Sequence, residues 1–213
     1  MKRKTDSFTG SRPVFTGSPS IVPGGFNLDV TNQSFNVGDI IPIGSVATFN
    51  EQTRLVQILK TAEVVEIDSD DAKKVSLKVA EFFKPIFCVG EKVAKAGAIS
   101  GTYANAVSIT AIQKTKSTYV VTLSAAISGL AVGDTLEEVV KDASDNAAER
   151  FTGRAVTIKD VEVDEFETAI DVCADTMQYA LLERRVPKIP ASQKDASGMA
   201  LAGNPHVKLS QSY

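Results

Sequence analysis

The sequence predicts a mainly β protein of the α+β class. Its parts are one or two small antiparallel β-barrel-like lobes, an extended N-terminal arm and one C-terminal amphipathic helix. Three observations predict this. Short β-branched runs alternate apolar and polar residues and are separated by polar turns. A Val-Gly-Asp lead-in occurs twice, at Val37-Gly38-Asp39 and Val132-Gly133-Asp134, each time ahead of a new apolar stretch where glycine supplies a tight bend. One stretch alone, around 165–184, spaces its apolar residues as a helix would. A length of 213 residues suits one sizeable domain or two small ones, and 43% hydrophobic residues suffice for a packed core. The expected units are an arm over 1–36, a β-lobe over 37–83 completed by 150–190, a second or inserted lobe over 84–142, and an extended tail over 191–213.

Residues 1–36 are dominated by Gly, Pro, Ser, Thr and Asn, and Pro13, Pro19 and Pro23 forbid a helix. Phe8-Thr9-Gly10-Ser11 and Phe15-Thr16-Gly17-Ser18 are near-copies. A disordered tail has few aromatics to bury, yet Phe8, Phe15, Ile21, Val22 and Phe26 recur at short spacing. They read as anchors of an arm that meets a partner outside its own domain; an untidy leader is the competing reading. Lys2-Arg3-Lys4 is the only basic cluster. It is either a solvated end or, with the five apolar anchors, a contact for an acidic surface.

From Val37 the pattern is β. Val46–Phe49 and Arg54–Leu59 flank the polar turn Asn50–Thr53, which predicts a hairpin. Ala62–Ile67 is a further strand. Asp68-Ser69-Asp70-Asp71 lacks the glycine and terminal glutamate of a calcium loop and reads as a solvated turn. Val75, Leu77 and Val79 alternate with Lys74, Ser76 and Lys78, as in a half-buried strand. Lys84-Pro85 opens the second lobe, where Ala106–Gln113 and Thr118–Ser124 form a hairpin about Lys114–Ser117. Residues 141–150 read as a linker or short helix and Arg154–Val163 as a strand. The helix follows, with Phe166, Ile170, Cys173, Met177 and Leu181 on its stripe, Asp164 and Glu167 as a capping box, and Val186-Pro187 as its stop. Thr168, Ile170 and Val172 are β-branched, so a strand over Ala169–Thr176 is its rival.

Motifs for chemistry are sparse. His206 is the single histidine and lies beside Pro205 in a polar tail, so a nucleophilic triad has one place only to find its base. Cys88 and Cys173 stand far apart in apolar surroundings and read as buried thiols, without the His/Cys clustering of a metal site. Glu137-Glu138 and Asp70-Asp71 are adjacent acids, which on a strand face opposite ways. No phosphate-cradling glycine motif is present. A net charge of −3 gives no footprint for duplex nucleic acid. No apolar run reaches the length of a membrane helix, and no signal peptide opens the chain. These readings predict a non-enzymatic protein without cofactor or metal.

Several segments resemble a known family. Val37-Gly38-Asp39-Ile40-Ile41-Pro42-Ile43-Gly44-Ser45-Val46, Leu55–Val64, Ile127–Leu136 and Tyr179–Pro190 are similar to the head fibre and capsid-decoration proteins of tailed bacteriophages, particularly those infecting gut bacteria. The likeness runs in patches over Val37–Pro190 and its motifs are short. It implies a homo-oligomer, a trimer foremost, on the capsid exterior of a virion, made in the cytoplasm of the host bacterium. It also implies contact with the major capsid protein, no cofactor and no turnover. The alternative is a carbohydrate- or host-surface-binding module carried on the particle, for which Tyr103 or Tyr119 would supply the aromatic contact.

Overall fold

In a computed structural model, which describes residues 13–177 and 180–211, the chain is mainly β with three short 3-10 turns and no α-helix among those residues. The N-terminal strands are β1 Ser20–Ile21, β2 Phe26–Leu28, β3 Ile40–Ile41, β4 Val46–Asn50 and β5 Leu55–Ile58. Seven strands then form a block of their own: β6 Thr61–Ile67, β7 Lys74–Leu77, β8 Lys92–Lys95, β9 Ile109–Lys114, β10 Tyr119–Leu123, β11 Thr135–Lys141 and β12 Ala147–Glu149. The chain returns through β13 Ala155–Thr157, β14 Val161–Glu162, β15 Ala169–Ile170 and β16 Val172–Asp175. It ends with β17 Leu181–Leu182, β18 Ala200–Leu201 and β19 Asn204–Ser210.

Two sheets organise the molecule. The first runs β1-β16-β13-β4-β5-β2-β15; the second runs β12-β11-β6-β7-β10-β9, with β8 on β11. Among the described residues, strands β6 to β12 pair only with one another, so residues 61–149 are an insertion between β5 and β13. The sequence boundary at 83 is therefore displaced: β6 and β7 belong to the inserted sheet.

Both sequence-predicted hairpins form. In β4–β5 the register runs from Ala47↔Ile58 to Asn50↔Leu55. Asn50 closes the turn by accepting the Gln52 and Thr53 amides at 2.9 and 3.1 Å. In β9–β10 the Thr115 hydroxyl does the same for the Thr118 amide at 3.1 Å. The repeated Val-Gly-Asp lead-ins also share a geometry. Gly38 and Gly133 have φ of 85° and 91°, which a side chain resists, and strands β3 and β11 start immediately afterwards.

The first sheet is buried on both faces. Val46, Val156 and Cys173, in register across β4, β13 and β16, point to a core closed by Val14, Leu181, Val186, Leu201, Val207 and Leu209. Ala47, Ala155 and Val172 face the other core, where Phe26 and Ile170 from the far end of the same sheet join them. The sheet must curl to bring its own end strands onto its own face, which gives the half-barrel shape. A third core lies wholly within the insertion, around Val64, Leu77, Tyr119, Val121 and Leu136.

Four expectations are corrected. The described residues of 165–184 form no α-helix but strands β15 and β16, then β17, so the β-branched rival prevails. Asp164 caps a turn: its carboxylate accepts the Glu165 amide at 2.6 Å, and its own N–H goes to the Thr168 hydroxyl at 2.9 Å. The described tail over 191–211 is structural too, because β19 alternates buried Val207 and Leu209 with exposed His206 and Lys208 and closes the first core. Finally, the described part of the arm is woven into the body. β1 pairs with β16, β2 runs parallel to β5 and antiparallel to β15, and Val14 is core. The chain is also not purely antiparallel, since β2–β5 and β17–β19 are parallel pairs.

Candidate partner-binding surface

Among the described residues, the side chains expected to contact a partner do not gather in one place. Lys2, Arg3, Lys4 and Phe8 lie outside the described residues. Phe15 is half-buried, bridges to Leu181 and packs on the first core. Val22 is half-buried and donates its N–H to Val172 O at 2.9 Å. Phe26 is core, with the Arg54 guanidinium 4.3 Å above its ring and Phe49 5.0 Å away. These three anchors are used by their own chain. Ile21, on edge strand β1 and 52% exposed, is the one described anchor turned outward.

The candidate chemical groups are equally dispersed. His206 is exposed on β19, and its carbonyl holds the Thr176 amide and hydroxyl, both at 3.0 Å. Asp68 closes its own turn by accepting the amides of Asp70 and Asp71 at 2.9 and 3.1 Å, which holds its carboxyl below the usual range. Burial pushes the Cys173 thiol up to about 11 and also raises Cys88, so neither is poised as a nucleophile. Among the described residues, no three His, Cys, Asp or Glu side chains converge as metal ligands. Tyr119 is fully buried and donates to Phe87 O at 3.0 Å, so it cannot stack on a sugar. Tyr103 is half-buried, with the Lys92 ammonium 4.4 Å over its ring. Among the described residues no helix is long and apolar enough to cross a membrane.

Where the chain crosses between the two lobes it carries a buried charge seam that the sequence does not announce. Lys60 stands at the entry to the insertion and Arg150 at its exit. The Lys60 ammonium is wholly buried, 2.5 Å from Glu91 and 4.2 Å over the Phe35 ring. Arg150 grips buried Glu138 with two bonds of 3.0 and 2.6 Å, and Gln33 donates to the same carboxylate at 2.9 Å. Each crossing thus pairs a cation from the body with an acid of the insertion. Glu137, one residue along β11 on the opposite face, is wholly buried and neither carboxylate oxygen has a partner. Burial, then the charges of Glu149 and Glu138, push its carboxyl up to about 8.

On the outside, two features stand out. The tip of the turn before β15 reads Asp164-Glu165-Phe166-Glu167, and its phenyl ring is 86% exposed. Across the junction of the lobes lies a groove of about 420 Å³ lined by Val37, Ile40, Phe82, Phe83, Lys84, Ile86, Lys114 and Lys116, among others. Lys114 is held by Asp39 at 2.6 Å. Helical spacing puts Phe166 on the apolar stripe; the period-two alternation over Thr168–Val172 is the signal that puts it on a loop. No protein-family model, no curated protein and no solved structure matches this chain.

Proposed function

We propose that the chain is a non-enzymatic structural protein of a virion, decorating a phage capsid or forming the base of its fibres by binding the major capsid protein. The observation that carries the reading is the Phe166 ring, 86% exposed at a loop tip. Scattered exposed valines are ordinary on a soluble surface, but a phenyl group left in water forgoes a large burial energy unless a neighbour covers it. Exposed Val37 and Met199, with Ile21 on an open strand edge, add apolar area for several neighbours. The resemblance to phage head fibre and decoration proteins supplies the kind of assembly and its location outside the capsid.

The test is low-resolution imaging of purified particles with and without the protein. Regular density outside the shell is expected when it is present; shells indistinguishable in the two preparations refute the assignment. A chain lacking residues 1–12 keeps every described core side chain. It is expected to attach poorly if Lys2, Arg3, Lys4 and Phe8 form the contact, and undiminished attachment retires those four.

A further inference from the structure

We propose that Lys60 and Glu91 react with one another, closing an amide between Lys60 Nζ and Glu91 Cδ that staples the root of the inserted lobe. The lysine side chain is wholly buried, the glutamate nearly so, and Nζ stands 2.5 Å from Oε1. With a C–O bond of about 1.2 Å, the nitrogen is at most about 3.7 Å from the carboxyl carbon, beside the near-attack range. The other carboxyl oxygen, Oε2, accepts the Cys88 amide at 2.7 Å. That donor sits where negative charge gathers in a tetrahedral intermediate. The Phe35 ring and the Cys88 sulfur wall the nitrogen at 4.2 and 3.9 Å.

In water such a pair stays ionic, because the hydration of two charges outweighs an amide. Here that hydration is lost. Burial raises the Glu91 carboxyl against the opposing charge of Lys60, and Glu138 adds to the rise. A proton passing from ammonium to carboxylate leaves a neutral amine facing a neutral acid. The amine lone pair attacks Cδ, one Cδ–O bond breaks, and that oxygen departs as water with two of the three ammonium protons. The third stays on the amide nitrogen; nothing is oxidised or reduced. One cation and one anion vanish together, while Glu138 keeps Arg150. Leu136 and Glu137 of β11 pair with β6 on one edge and β8 on the other. Lys60 and Glu91 immediately precede those two strands, so the bond clasps β11 from both sides.

Intact-mass spectrometry of the denatured full chain tests this. Wild type is expected to be lighter than its sequence by one water, and a tryptic map to recover Lys60 and Glu91 in one branched peptide. Lys60→Arg keeps a cation for Glu91, but a guanidinium stays protonated and does not acylate. That variant is expected at its full sequence mass and with a lower thermal midpoint. Wild type at full mass leaves the pair ionic and overturns the inference. A water loss that survives Lys60→Arg, or that maps to other residues, overturns it as well. If the arginine variant does not fold, the presence or absence of the branched peptide in wild type decides alone.

Discussion

Glu137 concentrates the electrostatic cost of this fold in one side chain. It is wholly buried without a donor for either oxygen, and its carboxyl is raised to about 8. Below about 4.5, the ordinary glutamate value, folded and unfolded chains both hold the proton and the group is neutral in each. As pH climbs from there to about 8, the unfolded chain releases its proton while the folded one keeps it. The unfolded state then binds fewer protons, and stability falls with pH. Above about 8 the full penalty is present, roughly 3–5 kcal/mol at about 1.4 kcal/mol per pH decade. Glu137→Gln cannot ionise, so it is expected to lose this decline whatever the amide does to the acid plateau. Thermal melts of the two proteins across the window check it, and parallel curves would refute the assignment. Nothing local marks this residue in the sequence. Glu137 and Glu138 read as one acidic pair, and only the fold gives one of them an arginine and the other nothing.

At the scale of the element, what was legible is what local chemistry decides. The β4–β5 and β9–β10 hairpins could be read because Asn50 and Thr115 close their turns with their own side chains. The segment 165–184 misled because Phe166, Ile170, Cys173, Met177 and Leu181 keep helical spacing. Its burial obeys the sheet instead, with Ile170, Val172 and Cys173 in the cores while Phe166 and Met177 stay exposed. Strand partners β2 and β13 decided the outcome, and both are distant in sequence. The tail concealed β19 because Gly203 and Pro205 look like turn residues, although Val207 and Leu209 alternate correctly. Gly203 is there for clearance: a Cβ would sit 2.6 Å from the Gly153 carbonyl oxygen, a backbone atom that cannot swing aside. Gly203→Ala is expected to destabilise the protein by about 1–3 kcal/mol, as overpacking does. An unchanged urea midpoint would mean that β19 does not seat as closely as this.

For the molecule as a whole, the consequential feature is that 61–149 has its own sheet and core yet hangs from two crossings. A lobe attached this way would open and close on its own if the crossings were bare strand. Instead each crossing places a buried cation against an acid of the insertion, Lys60 on Glu91 and Arg150 on Glu138. Burying such pairs gains little over apolar packing, but breaking one leaves an uncompensated charge, at about 3–5 kcal/mol. The seam therefore makes separation of the lobes expensive, and the groove that spans their junction keeps its shape only while they stay docked. Wild type is expected to unfold in a single calorimetric transition. Lys60→Met combined with Arg150→Met strands Glu91 and Glu138 and is expected to split that transition in two, one for each sheet. If the double variant still melts as one unit at a lower temperature, the lobes are coupled by their apolar contacts and the charged seam contributes only stability.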